Sequence, residues 1–256
     1  ESMGISTFRP EDYLETHYSL ALGGLTEGVT PLEMASAYGV LANEGIKVKP
    51  FAIRKIVDKR NNIIYKAHPK KEIVLQKETS YLITDMLKSV IKEGTGRSAD
   101  INRPVAGKTG TTNDHTNAWF VGYTPDLVTS VWIGEDTSEP MHYNQKDNNG
   151  NYLFPEPNSD GFRIISSGEA AKLWGNYMKK VVANKSIKDF TRPENIVQTE
   201  IDPITGLLPN EYTPNPVTEI FRKNNVPQKI ESLHGPTETV DICKESKELA
   251  TYNCPD

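Results

Sequence analysis

The sequence predicts an α+β fold, an antiparallel sheet packed with helices, and two patterns support this prediction. Three segments combine apolar residues at spacings of three and four with helix-capping or helix-stop signals, which is typical of helices packed on one side. Three consecutive runs, at residues 105–111, 118–123 and 127–134, are rich in apolar, β-branched and aromatic residues. Because turn sequences separate these runs, they predict an antiparallel meander.

The first predicted helix has the clearest boundaries. Thr30 can cap its N-terminus, Pro31 suits the first helical position, and Glu33 completes a capping box. We expect this helix to run to about Asn43 and to stop at Gly45.

The second and third predicted helices each carry an apolar stripe. The second ends at Gly94 and Gly96, and its stripe consists of Ile83, Met86, Leu87, Val90 and Ile91. The third opens with a capping box at residues 166–169 and is expected to cover one face of the meander. Its stripe consists of Ala170, Leu173, Trp174, Tyr177, Met178 and Val181.

Other segments predict the remaining organisation of the chain. Ile- and Val-rich runs at 51–57 and 62–65 flank a polar turn and predict a peripheral β-hairpin. Residues 139–163, rich in Asn, Asp, Gly, Pro and Tyr, predict a long exposed loop. The sequence thus predicts one main domain over residues 1–188 and a small extension over residues 189–256, where proline interrupts short extended pieces.

Composition excludes several classes of protein. The 256 residues carry a formal net charge of −5, which is not the basic footprint of a nucleic-acid-binding protein. No apolar run approaches the ~20 residues that span a bilayer, so we expect any membrane anchor to lie outside this segment. The five histidines share no spacing, and Cys243 and Cys254 fit no zinc pattern, so no metal site is predicted. The two cysteines are either a pair or two bystanders.

The first run of the meander contains the motif with the most chemical information, Lys108-Thr109-Gly110, followed by Thr111. A strand lysine followed by a hydroxyl and a glycine offers a cation, a hydrogen-bond donor and room for a substrate backbone. K-T-G accompanies S-x-x-K and S-D-N in penicillin-recognising serine enzymes. An isolated K-T-G is more often a solvated lysine beside a glycine bulge, so the surrounding sequence decides.

Further segments accompany the motif. They are G-T-G-R at 94–97, V-A-G-K-T-G-T-T at 105–112, A-W-F-V-G-Y-T-P at 118–125 and V-W-I-G at 131–134. Upstream lie residues 21–24 and 30–35, and downstream lie Trp174, Met178, residues 201–206 and residues 218–221. In this order, and over nearly the whole chain, they closely resemble the transpeptidase domain of class A (bifunctional) penicillin-binding proteins. The resemblance implies the penicillin-binding/serine β-lactamase-like fold, incomplete in this chain, with a small β-rich C-terminal region.

Two motifs of that family have no suitably placed counterpart. The family's nucleophile is the Ser of an S-x-x-K at the start of a buried helix, and its second motif is an S-x-N. The one S-x-x-K here, Ser89 to Lys92, falls in the last turn of the second predicted helix, and we interpret it as a solvent-exposed Ser and Lys. Residues 1–5 resemble the family's sequence shortly after S-x-N. We therefore expect the C-terminal portion of the domain, without the catalytic Ser, the glycosyltransferase domain or the anchor.

The resemblance implies part of a serine D,D-transpeptidase that cross-links peptidoglycan and is acylated by β-lactams; this chain alone is expected to be inactive. In that scheme Lys108 supplies positive potential and assists proton transfer, while the Thr109 and Thr111 hydroxyls bind the substrate carboxylate. The Thr111 N–H would be an oxyanion donor, and Gly110 would keep the strand edge open.

The resemblance also implies partners and a location. We expect the N-terminal half of the same domain, peptidoglycan stem peptides and β-lactam antibiotics as partners, and no cofactor, metal or nucleic acid. The expected location is the extracytoplasmic face of the bacterial cell membrane. Thiols oxidise there, so Cys243 and Cys254 are expected to form a disulfide that stabilises the tail by about 3 kcal/mol.

Three alternative functions remain open from the sequence. A D,D-carboxypeptidase or a serine β-lactamase would share K-T-G. A catalytically silent penicillin-binding sensor or scaffold would be acylated without turning over peptide. A purely structural module would not bind β-lactams even with the N-terminal part restored.

Overall fold

The chain divides into two units, Glu1–Pro193 and Glu194–Asp256. The structure is a computed structural model and describes residues 1–13, 18–112, 115–135, 141–143, 163–236 and 242. The predicted domain boundary, between residues 188 and 189, lies shortly before this division. No helix within the described ranges is long and apolar enough to cross a membrane.

Helix α1 is Pro31–Ala42, and local hydrogen bonds define its start. The Thr30 hydroxyl accepts a hydrogen bond from the Glu33 N–H, and the Glu33 carboxylate accepts one from the Thr30 N–H. The predicted capping box is therefore confirmed. Asn43 caps the C-terminus, and Gly45 follows with a left-handed φ of 89° that favours glycine.

Short ribbons and 3₁₀ turns surround the helices. Strand β1 (Ile46–Val48) pairs with β4 (Lys71–Ile73), and β2 (Lys55–Val57) pairs with β3 (Ile63–Lys66), both antiparallel. The second pair confirms the predicted hairpin. The 3₁₀ turns are Pro10–Tyr13, Tyr18–Leu22 and Arg97–Ala99.

Helix α2, Lys77–Lys92, packs the predicted stripe against the core except at Met86. Ile91 is buried as predicted, but Met86 is 68% exposed, so its assignment to the core was wrong. Ser80 and Thr84 are buried instead. Residues two positions apart on a helix point about 200° apart, so a face that includes Thr84 leaves Met86 outside.

The predicted meander is confirmed as a three-stranded antiparallel sheet. Strands β5 (Ala106–Thr111), β6 (Asn117–Tyr123) and β7 (Val128–Gly134) lie in the order β5-β6-β7. Thr109 lies opposite Phe120, and this register defines which side chains share a face. Beyond this sheet, β8 (His142–Tyr143) pairs with β9 (Arg163–Ile164). The remainder of the predicted 139–163 loop, apart from residues 141–143 and 163, lies outside the described residues.

Helix α3, Ser167–Val181, begins at the predicted capping box between Ser166 and Glu169 and packs on the sheet. The Trp174 ring lies 5.3 Å from the Phe120 ring, centroid to centroid, in an edge-to-face arrangement. Half of the predicted stripe is buried, namely Ala170, Trp174 and Met178. The other half is exposed: Leu173 and Tyr177 are each 53% exposed, and Val181 is 36% exposed.

The buried face of α3 is displaced toward its small residues. A Cβ on Gly175 would lie 2.9 Å from the Ser98 carbonyl oxygen, so the helix approaches that backbone too closely for a larger side chain. Ala171, beside Ala170, is also fully buried. The close approach of α3 to the backbone at Ser98 requires small residues on the buried face. The predicted stripe favoured large apolar residues and was therefore wrong at Leu173.

In the second unit, β10 (Ile196–Ile201) and β11 (Val217–Arg222) form an antiparallel pair. A parallel bridge between Leu208 and Ile230 follows. Cys243 and Cys254 lie outside the described residues, so their disulfide stays a prediction.

Candidate functional site

The K-T-G motif lies on β5, which within the described part of the chain pairs only with β6 and leaves its other edge open. Thr109 lies opposite Phe120, on the face that α3 covers, and is only 9% exposed. Lys108 lies on the opposite face and is exposed. The strand therefore presents hydroxyls on one side and an ammonium on the other, with free backbone groups between them.

The direction of the backbone groups follows from the strand register. The Thr112 N–H donates to the Asn117 carbonyl at 3.2 Å, and Thr111 lies opposite Ala118. In an antiparallel ladder, N–H groups alternate between the partner strand and the opposite side. The Thr111 N–H therefore points away from β6, toward the open edge.

The Lys108 side chain returns to this same edge. Its Nζ donates to the Thr109 carbonyl oxygen at 2.9 Å. An ammonium retains further donors after making one such bond. The open edge thus carries positive charge beside the Thr111 N–H.

The two threonine hydroxyls have different partners. Thr109 Oγ1 lies 2.6 Å from Thr95 Oγ1, and Thr111 Oγ1 accepts from the Ser167 N–H of α3 at 3.2 Å. In a pair of hydroxyls one donates, and the acceptor keeps its own proton for a further partner. Thr111 Oγ1 likewise keeps its proton when it accepts, so both sites can still donate to an anion.

Thr95 borders the candidate site, and the sequence reasoning did not single it out. It lies in the segment 94–97 that follows α2, and its side chain borders solvent beside Thr109. The only sequence signal was its place between two glycines, Gly94 and Gly96, in a segment that carries the family resemblance.

The glycines of the motif differ in their surroundings. A Cβ on Gly107 would lie 2.7 Å from Phe120 Cζ, so that position excludes any side chain. A Cβ on Gly110 would meet only Trp119 Cβ at 3.4 Å. Gly107 thus serves packing, whereas Gly110 lies on the more open face.

Comparison with known proteins gives the family. The model of the penicillin binding protein transpeptidase domain matches residues 2–150, and that of the penicillin-binding protein 1A C-terminal domain matches residues 192–236. The chain belongs to the penicillin-binding protein transpeptidase family. The family predicted from the sequence is thereby confirmed.

Individual relatives agree. Penicillin-binding protein 1A of Aquifex aeolicus is 39% identical over 217 residues, which are 84% of this chain and 27% of the relative. That of Pseudomonas aeruginosa is 31% identical over 274 residues, covering 87% of this chain and 31% of the relative. The crystal structure of penicillin-binding protein 1A from Haemophilus influenzae matches with a TM-score of 0.69 and 28% identity, covering 90% of this chain and 36% of that one. The predicted fold class is confirmed, and the chain spans less than a third of the length of these two curated relatives.

The S-x-x-K of this penicillin-binding protein chain does not lie in surroundings that would activate a serine nucleophile. Ser89 and Lys92 are both exposed in the last turn of α2. The Ser89 carbonyl accepts the N–H groups of Glu93 and Gly94, which end the helix. Because a helix C-terminus carries negative partial charge, it disfavours a serine alkoxide.

The second unit brings together Asp202, Glu231 and His234, whose possible ligand atoms lie within 4.8 Å of one another. These are the described residues that could hold a metal ion, and sequence spacing did not predict their proximity. Both carboxylates are buried. Hydrogen bonds offset the cost of this burial. Ile204 and Thr205 donate to Asp202, and Leu233, His234 and the more distant Thr213 donate to Glu231.

The same hydrogen bonds keep the two carboxylates ionised. Burial raises the pKa of Asp202, but the hydrogen bonds from Thr205 and Ile204 and the nearby His234 together lower it by more, so the net pKa is lowered. At Glu231 burial also raises the pKa, and the bond from Thr213 leads the opposing group, so the net pKa is again lowered. We assign the cluster a structural role in this unit.

Proposed function

We propose that this chain is the K-T-G-bearing part of a serine D,D-transpeptidase that cross-links peptidoglycan stem peptides and is acylated by β-lactams. The observation that carries the proposal is the open edge of β5. There the Lys108 ammonium and the outward-pointing Thr111 N–H lie together, in a member of the penicillin-binding protein transpeptidase family.

The proposed reaction requires a serine nucleophile. A serine Oγ attacks the D-Ala–D-Ala carbonyl, an acyl-enzyme forms, and D-Ala leaves with the proton that the serine gave up. An amine of a neighbouring stem then displaces the serine and forms the cross-link. A β-lactam acylates the same serine by opening its ring. We place this serine in the upstream half of the domain, since Ser89 is exposed at the end of α2.

The β5 edge would stabilise the charges that develop in this reaction. The Thr111 N–H would donate to the oxyanion of the tetrahedral intermediate, and one such donor is typically worth about 3 kcal/mol. Lys108 would supply positive potential and assist proton transfer. The free protons of the Thr109–Thr95 pair and of Thr111 would hold the substrate's terminal carboxylate.

The wider setting belongs to the same proposal. The substrates would be peptidoglycan stem peptides, and the complete protein would also contain a peptidoglycan glycosyltransferase domain. The location would be the extracytoplasmic face of the bacterial cell membrane, reached through an anchor outside this chain.

The test is the Lys108→Ala variant in a polypeptide that joins this chain to the upstream half of the domain. We expect the acylation rate with a fluorescent penicillin to fall by about 100-fold or more, with an unchanged circular dichroism spectrum. Lys92→Ala removes another exposed lysine and is the matched control. Acylation of the Lys108 variant within a few-fold of the parent would contradict the assigned role.

Product analysis separates the proposed reaction from its alternatives. A stem-peptide donor and an amine acceptor should yield a cross-linked product. Release of D-Ala alone would indicate a carboxypeptidase, rapid penicillin hydrolysis a β-lactamase, and stable acylation without peptide turnover a silent sensor. Absence of labelling with the upstream half present would indicate a structural module.

A further inference from the structure

Residues 49–73, here called the basic ribbon, differ in charge from the rest of the chain. They contain eight Lys and Arg but two Asp and Glu, so the basic ribbon carries a formal charge of +6. The remaining residues together carry −11. This concentrated positive charge therefore lies in one segment of an acidic protein.

The cations of the basic ribbon are available to a partner. Except for Asp58 and Ala67, every residue from 49 to 73 is exposed. Within the described parts of the chain, ion pairs involve none of its eight Lys and Arg side chains. These cations are Lys49, Arg54, Lys55, Lys59, Arg60, Lys66, Lys70 and Lys71.

The basic ribbon also exposes large apolar side chains between its cations. Ile64 is 67% exposed and Ile73 is 80% exposed. The others are Phe51, Ile53, Ile56, Val57, Ile63 and Tyr65. Cross-strand partners and alternate residues share a face of a sheet, so Ile64 lies on the face of Lys55 and Lys66. This face thus combines exposed cations with an exposed aliphatic side chain, a combination that indicates an interaction surface.

Its secondary structure leaves this surface uncovered. The β2–β3 pair forms a sheet of two strands, and both strands are exposed along their whole length. A two-stranded ribbon is marginally stable in water and gains stability when its apolar side chains are covered. A partner that covers the apolar residues and neutralises the cations would satisfy both requirements.

The side-chain types discriminate between classes of partner. Six of the eight cations are lysines, and protein interfaces are depleted in lysine. The apolar residues are mainly aliphatic, whereas an anionic polymer alone would not cover isoleucines. Lysines interleaved with aliphatic and aromatic residues suit the boundary between anionic headgroups and acyl chains.

We propose that the basic ribbon is a peripheral binding site for an anionic phospholipid surface. Its lysines contact the headgroups, and Ile64, on the face of Lys55 and Lys66, enters the interfacial layer together with Ile53. Because the rest of the chain is acidic, the same surface repels it, so the ribbon also orients the protein. This contact is additional to the membrane anchor expected outside the chain, and it does not depend on the proposed transpeptidase reaction.

The first test is co-sedimentation with lipid vesicles of a polypeptide that joins this chain to the upstream half of the domain and carries no membrane anchor, with a vesicle-free sample as the control for aggregation. One set is pure phosphatidylcholine, and the other is phosphatidylcholine with about 30% of the anionic lipid phosphatidylglycerol. We expect at least about tenfold stronger binding to the anionic vesicles at 50 mM salt, lost at 500 mM. Equal binding to both vesicle types, or binding that salt does not weaken, would overturn the proposal.

Variants then locate the contact. K55Q/K59Q/K66Q/K70Q should bind anionic vesicles at least about tenfold more weakly than the parent. K92Q/K172Q/K179Q/K180Q has the same net charge, changes exposed lysines of α2 and α3, and should bind like the parent. Equal loss in both variants would overturn the assignment to the ribbon. Circular dichroism of each variant checks its fold, and the vesicle and salt comparisons on the parent chain need no variant.

A third variant separates lipid from other anionic partners. I53T/I64T keeps every charge and removes two exposed isoleucines, and it should lose most of the vesicle binding. Binding equal to that of the parent would indicate a purely electrostatic contact, as with a soluble polyanion, and would overturn the lipid proposal. Failure of the parent to bind any vesicle would leave coverage by another protein segment as the explanation and would also overturn it.

Discussion

Two glycines of β5, three positions apart, illustrate how the register assigns different roles to the same residue type. Gly107 lies opposite Gly122 on the face that carries Phe120, where there is no room for a side chain. Gly110 lies opposite Trp119 on the other face, where a methyl group fits. The K-T-G motif alone predicted a role for Gly110 only, because the packing role of Gly107 depends on a ring from another strand.

Gly107→Ala is therefore expected to destabilise the protein by about 1–3 kcal/mol through overpacking against Phe120. Gly110→Ala is the matched control and should change the unfolding free energy by less than about 1 kcal/mol. Urea denaturation followed by circular dichroism measures both. Equal effects of the two variants would contradict the packing difference.

The Glu33 carboxylate caps helix α1 and also binds the N-terminal segment at Ser6. It accepts hydrogen bonds from the Ser6 hydroxyl and N–H and from the Thr30 N–H, and these lower its pKa to about 2, the Ser6 hydroxyl contributing most. A lowered pKa in the folded state means that the stabilisation is fully present above the unfolded pKa of about 4.5. It is lost as the pH falls toward 2.

The free energy of unfolding of the parent should therefore exceed that of Glu33→Gln at pH 6, and the difference should shrink between pH 4.5 and pH 2. Glu44→Gln, which alters an exposed glutamate just after α1, is the control. Urea titrations at several pH values measure the difference. A difference independent of pH would mean that the ionised carboxylate is not responsible.

At the scale of elements, helix boundaries were more predictable than helix faces. The capping boxes of α1 and α3 depend on residues within four positions of each other, so the sequence contains all the information. The buried face depends on which strand or helix lies opposite. Met86 and Leu173 have the right spacing for a core but face solvent, while Thr84 is buried.

Buried hydroxyls on α2 explain part of this difference. The Thr84 hydroxyl donates to the Ser80 carbonyl at 2.8 Å and lies 2.9 Å from the Tyr123 hydroxyl. Since Thr84 has only one hydroxyl proton, Tyr123 is the donor in the second bond. Burial raises the pKa of Tyr123, which keeps this donor protonated.

Thr84→Val leaves the buried Tyr123 hydroxyl without its acceptor and should cost about 1–3 kcal/mol. Tyr123→Phe removes the unpaired donor. We therefore expect Tyr123→Phe to lower the free energy of unfolding less in the Thr84→Val background than in the parent. A double-mutant cycle with urea denaturation measures this coupling. Additive effects of the two substitutions would contradict the hydrogen bond.

At the scale of the whole molecule, the sequence could indicate only part of the candidate site. Lys108 to Thr111 could be found because they are contiguous on one strand and carry a motif. Thr95 could not be assigned a role, since its contact with Thr109 crosses 14 positions. The cluster at Asp202 likewise forms only when two distant loops meet.

The exposed half of the α3 stripe has a consequence for the isolated chain. Leu173, Tyr177 and Val181 recur every four residues and form an apolar line on the helix surface. We expect the upstream half of the domain to cover this line. The isolated chain should accordingly be less soluble than one joined to the upstream half.

The isolated chain should also form no covalent adduct with penicillin. Acylation requires a serine Oγ held against a carbonyl whose oxygen is bound by preorganised donors, and the β5 edge supplies donors alone. Ser89 is exposed at the negative end of α2, where a serine is not activated. The intact mass after incubation with benzylpenicillin should therefore equal that of the untreated chain, whereas the chain joined to the upstream half should gain one acyl group. In that joined protein Ser89→Ala should label like the parent. A penicillin adduct mapped to Ser89 in either form would show that this serine is the nucleophile and that the chain contains its own catalytic group.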